Sequence, residues 1–144
     1  MNIIIKLINY PKRLLIKSKF ISKPNLKDRF SIIHKNNYWD NSETVSGPGS
    51  TMKNTVNLRK KLRKIIKKYK IKSIFDAPCG DCNWIKGIIR NSSVKYIGAD
   101  IVDEIIKNNK KKFNYKNTFF YKKDITKNNL PKTCLLYTSP SPRD

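Results

Sequence analysis

Asp76, Asp100 and Asp124 are the residues of this chain whose type and spacing could do chemistry. Each closes a short β-prone run: Ser73-Ile74-Phe75 before the first, residues 94–99 before the second, residues 118–121 before the third. Three carboxylates at three strand ends gather acceptors and negative charge along one edge of a sheet. That edge is where open α/β sheets hold nucleotide-like ligands. The first strand runs on into Ala77-Pro78-Cys79-Gly80-Asp81-Cys82-Asn83-Trp84, a tight turn leading to a helix. A pyrophosphate cradle uses three glycines so that the backbone can approach the phosphates. Here Gly80 stands alone, so a pyrophosphate is poorly served. Asp100 lies twenty-four residues after Asp76, close to the spacing of about 20 at which nucleotide-binding folds place the acid that takes ribose hydroxyls.

Each acid also has a plainer reading. Asp100 and Asp124 are as readily caps of the segments that follow them. Asp76 is harder to explain so, because Pro78 and Gly80 interpose a special turn between it and the next helix.

At these residues the chain resembles the class I S-adenosylmethionine-dependent methyltransferases, specifically a subgroup with an Asp-Ala-Pro-Cys-Gly-Asp first loop. The resemblance covers roughly residues 38–131. It implies a Rossmann-like methyltransferase fold, an enzyme that transfers a methyl group to an unidentified acceptor, and S-adenosyl-L-methionine as cofactor. That ligand carries no phosphate, and one glycine lets its methionyl end lie against the turn. The resemblance further implies that Asp76 and Asp81 serve the ligand's ammonium group. It gives Asp100 the ribose and Asp124 the adenine amino group, with Ile101 and Ile125 bounding the ring faces. The segment Ser46-Gly47-Pro48-Gly49-Ser50-Thr51 matches a stretch of the subgroup that would fold over the methionyl end, or else is a linker. Tyr38 and Trp39 would wall the same pocket or pack on the sheet. No residue is assigned as a catalytic base.

Cys79-Gly80-Asp81-Cys82 is also a C-x-x-C pair between a strand and a helix, the place of a redox dithiol in thioredoxin-like oxidoreductases. Ala77-Pro78 stands where that reading wants a tryptophan, and it leaves Asp100 and Asp124 without a task. A zinc half-site lacks a second Cys/His pair, and His34 is read as a surface or partly packed residue. No metal is expected, and the cysteines are read as shaping the loop.

The elements that must position the acids alternate β-α-β-α-β, which implies right-handed crossovers and a parallel sheet. The preceding helix is expected over residues 54–69, with Leu58, Leu62, Ile65, Ile66 and Tyr69 inward and the lysines outward. Ser50 or Thr51 is its expected cap. Further helices are expected over 83–90, on Trp84, Ile85, Ile88 and Ile89, and over 102–112, on Val102, Ile105 and Ile106.

The 144 residues suit one domain, here divided into a basic N-terminal extension (1–37), a partial cofactor-binding domain (38–133) and a tail (134–144). The extension reads as loosely ordered with one or two helical turns; a basic amphipathic segment on an anionic membrane is the other reading. No stretch is long and apolar enough to span a bilayer. Without a disulfide pattern, the cytoplasm is the expected compartment.

The tail, Cys134-Leu135-Leu136-Tyr137-Thr138-Ser139-Pro140-Ser141-Pro142-Arg143-Asp144, resembles an in-frame translation of a sequencing-library transposase adapter. On that reading the sheet is truncated after its third strand, the acceptor site is missing, and Ser73 to Phe75 is left as an unpaired, aggregation-prone edge. Such a chain would bind the cofactor weakly and would not turn over. The net charge of +22, from 32 Lys and Arg against 10 Asp and Glu, admits a polyanion partner such as nucleic acid or an anionic surface. Its heavy lean on lysine fits a genome-wide composition better. A basic polyanion-binding module without turnover is the alternative from another functional class.

Overall fold

The computed structural model describes residues 14–19, 21–90 and 92–127, together with the backbone of residues 137 and 138. Residues 14–19 are helical. Then follow α1 (Leu26–Lys35), a 3-10 turn (Pro48–Ser50), α2 (Val56–Lys68), β1 (Ser73–Asp76), α3 (Lys86–Ile89), β2 (Lys95–Asp100), α4 (Asp103–Lys112), β3 (Thr118–Lys122) and β4 (Tyr137–Thr138). The architecture is mixed α/β with a parallel sheet in the order β3-β2-β1-β4. Among the described residues, no helix is long and apolar enough to cross a membrane.

Residues that alternate along each strand divide the sheet into two faces. Ile74, Tyr96 and Phe120 join Leu62 of α2, Ile88 and Ile89 of α3 and Ile106 of α4 in the main core. Phe75, Ala77 and Ala99 form a smaller cluster on the other side. Gly98 is required where β2 meets β3. A Cβ there would stand 2.7 Å from Phe120 Cδ1, so its absence lets Phe120 pack edge-on to Tyr96 with centroids 5.9 Å apart.

Several expectations need correction. The sheet does not stop at its third strand, and β1 is not an edge. Tyr137 and Thr138 pair in parallel with Phe75 and Asp76, which gives that side of β1 backbone partners. The remainder of 134–144 lies outside the described residues, as do residues 1–13 of the N-terminal extension. Neither Ser50 nor Thr51 caps α2; its N-cap is Thr55, without a side-chain cap bond. Thr51 instead closes the preceding turn, its hydroxyl donating to the Pro48 carbonyl. Of the expected α2 stripe only Leu62 is buried and Ile66 half-buried, while Leu58, Ile65 and Tyr69 stay exposed. Helix α3 begins three residues later than expected. Cys82 adopts φ 55° and the Asn83 side chain is committed to Glu43 and the Ser50 carbonyl, so the chain cannot yet coil.

The basic extension also holds more order than its charge suggests. Asn25 caps α1, its Oδ1 accepting from the Asp28 N–H while its Nδ2 donates to the Asp28 carboxylate. This reciprocal arrangement satisfies two groups of the first turn.

Candidate functional site

The turn after β1 is built around Gly80, which takes φ +53°. Any Cβ there would collide with Ser46 Oγ, so glycine allows residues 44–46 to lie directly on the turn. Asp81 fastens that contact. Its carboxylate accepts from Thr44 Oγ1 at 2.9 Å, Ser46 Oγ at 2.9 Å, the Val45 N–H at 3.1 Å and the Asn83 N–H at 3.3 Å. From below, Asn109 of α4 donates to the Gly80 carbonyl at 2.7 Å and reaches both cysteine sulfurs, Cys79 at 3.8 Å and Cys82 at 3.6 Å.

Cys79 and Cys82 are free and buried. The Cys79 thiol is pushed well above its ordinary range, first by its hydrogen bond with Cys82, then by burial and by the charges of Cys82, Asp76 and Asp100. A redox nucleophile needs the opposite shift, toward thiolate. Both sulfurs pack in the main core beneath the turn and take hydrogen bonds from Asn109 Nδ2.

The three strand-end acids have different surroundings. Asp76 is buried (2% exposed) and accepts the Tyr96 hydroxyl at 2.6 Å. Burial and the Asp76 charge push the Tyr96 phenol well up, which keeps it a proton donor. Asp100 is 6% exposed; its two oxygens accept the Gly80 and Val102 N–H groups at 3.1 and 3.0 Å. Burial raises its pKa, against backbone hydrogen bonds and a smaller contribution from His34, which act to lower it. Asp100 is not the N-cap of α4, which is Val102; one of its oxygens accepts the Val102 N–H and the other ties the Gly80 turn to β2. Asp124 is more open and accepts both the hydroxyl and the N–H of Thr126, which lower its pKa.

A cavity of about 300 Å³ opens at the carboxyl ends of β1, β2 and β3. Gly80, Asp100, Ile101, Asp124 and Ile125, five of the sequence-derived site residues, line it. Asp76 and Asp81 do not: Asp76 is bonded to Tyr96 of β2, and Asp81 holds residues 44–46 on the turn. Trp39, Ser46 and Ser50 form part of the wall, as the loop before α2 was expected to do, and Trp39 stacks edge-on against Tyr38. The described residues gather no group of three or more His, Cys, Asp or Glu that could hold a metal ion.

Sequence reasoning missed the fourth side of the cavity. Leu26, Phe30, Ile33 and His34 of α1 line it, facing Val102 and Ile105 at the start of α4. Their spacing of four, three and one was a legible helical stripe, masked by Pro24 and the surrounding charge. Asn109 was legible too, as a polar residue on the apolar face of Val102, Ile105 and Ile106. At the rim Lys27 of α1 lies 3.9 Å from Asp103, which Lys122 also meets at 2.8 Å, and His34 Nδ1 lies 3.9 Å from Glu104. The result is a largely apolar pocket with few convergent polar groups, the usual form of a small-molecule site. No protein-family model matches the chain, and no characterised protein matches it in sequence.

Proposed function

We propose that the cavity binds S-adenosylmethionine and that the protein is a class I methyltransferase of the Rossmann-like kind, acting on an acceptor still to be found. The observation that carries this reading is the convergence of Gly80, Asp100 and Asp124 from three adjacent parallel strands on one cavity. The Asp100 carboxylate retains acceptor capacity beyond its two backbone bonds, enough for a ribose diol. Ile101 and Ile125 supply apolar surface for a base, and Asp124 an acceptor for its amino group. A lone glycine in the turn suits a ligand without phosphate.

The chemistry asks little of the protein beyond alignment. The sulfonium makes the methyl electrophilic, so holding donor and acceptor in line at short distance supplies much of the acceleration. The Gly80 turn is well suited to such a task, since Asp81, Asn109 and Asp100 fix it from three sides.

Trp39 and Trp84 both line the cavity and are the two tryptophans of the chain. Titration with S-adenosylmethionine or S-adenosylhomocysteine should change tryptophan emission saturably, and calorimetry should return the same affinity. Asp124→Ala should weaken binding about tenfold or more, because it removes the acceptor proposed for the base's amino group. Absence of saturable binding in the parent protein would defeat the proposal. In the alternative, a polyanion-binding module, heparin retention would be the activity and Asp100 variants would leave it intact.

A further inference from the structure

His34 lines the cavity from α1, and its Nδ1 is buried with no hydrogen-bond partner among the described residues. A buried polar atom left unpaired costs about 1–3 kcal/mol, and each one in a folded protein calls for an explanation. The carboxylate opposite that nitrogen is Glu104 Oε2, 3.9 Å away on the first turn of α4. This is too long for a hydrogen bond, yet the Glu104 side chain is 63% exposed and free to change rotamer. An acceptor at Nδ1 fixes the imidazole and leaves Nε2 as the ring nitrogen for a ligand. His34 and Asp100 both line the cavity. Glu104 sits in the first turn of α4, which starts directly after Asp100 ends β2, so the imidazole meets the end of β2 that carries the acid suited to hydroxyl groups.

We propose that His34 is a second ribose-binding residue, positioned by Glu104, which hydrogen-bonds a ribose hydroxyl of the cavity's ligand from the α1 side while Asp100 takes the diol from the sheet side. The inference rests on the nucleoside reading given under Proposed function. It makes α1 part of the recognition apparatus and makes the pocket selective for ribonucleosides over their deoxy forms.

A ligand-by-mutant cycle tests it. Calorimetry would compare the parent protein with His34→Phe, His34→Gln and Glu104→Gln, using S-adenosylhomocysteine and its 2′-deoxy and 3′-deoxy analogues. His34→Phe should lose about tenfold in affinity for S-adenosylhomocysteine and nothing for the analogue that lacks the contacted hydroxyl. His34→Gln should recover part of the loss, and Glu104→Gln should cost a few-fold that disappears in the His34→Phe background. An equal loss for all three ligands would show that His34 only supports the wall and would overturn the inference, as would no loss at all. If His34→Phe fails to melt cooperatively, the same comparison is read from His34→Gln. A parent protein that binds none of the three ligands overturns the nucleoside reading and this inference with it; binding by the parent with no hydroxyl-dependent loss overturns this inference alone.

Discussion

Asp100 faces two demands, and its protonation decides between them. Burial raises its pKa, so the folded protein holds the proton at pH values where the unfolded chain has released it. The stability this contributes is fully present below the ordinary aspartate value and is lost as pH rises through the folded-state value. On the proposed reading ligand binding runs the other way, because only the carboxylate accepts from both ribose hydroxyls. Affinity for S-adenosylhomocysteine should therefore fall on acidification, beginning above the usual aspartate range, and Asp100→Asn should be weak at every pH with this dependence gone. Calorimetric titrations at several pH values would check both. Gly80→Ala combines strain at φ +53° with the collision against Ser46, and should abolish binding and lower the melting temperature by several degrees. The cysteines should matter less. With Cys79 pushed toward the thiol, alkylation of the native protein near neutral pH should be slow, and the Cys79→Ser, Cys82→Ser double variant should bind within about tenfold of the parent, or 1.4 kcal/mol.

At the level of elements, the turn after β1 is one unit with the loop before α2, joined through Asp81. Asp81→Ala would leave the Thr44 and Ser46 hydroxyls and two backbone N–H groups without their charged acceptor. A loss of at least about 2 kcal/mol in chemical denaturation is expected. This coupling explains which parts of the site could be read in advance. The strands, the Gly80 turn and the acids on the cavity were legible, because short apolar runs closely followed by Asp are local signals. The tasks of Asp76 and Asp81 were not, because their partners Tyr96 and Thr44 lie 20 and 37 residues away. Helix α1 was hidden differently: its stripe and its Asn25 cap were present, but none of its residues is buried, so its charge dominated the reading. The apolar flank of α2 misled in the reverse sense, since Leu58, Ile65 and Tyr69 follow the helical period yet stay exposed.

Across the whole molecule, charge is the dominant imbalance. With 32 Lys and Arg against 10 Asp and Glu, self-repulsion opposes the compact state. The melting temperature should rise as salt increases from about 10 to 300 mM, where screening falls well inside about 10 Å. The same salt should elute the protein from heparin, and Asp100→Ala should shift ligand binding without shifting that elution. The cavity walls also differ in how firmly they are held. The turn side is tied by charged and buried hydrogen bonds. Helix α1 buries none of its residues, and its Lys27–Asp103 and His34–Glu104 contacts to α4 each span 3.9 Å. Opening costs least where few apolar contacts must be broken. A ligand would accordingly come and go beneath α1 while the sheet and turn stay closed, so residence time becomes a property of one helix. Disulfide tethering of α1 to α4 would lengthen it, and salt that weakens the rim pairs would shorten it.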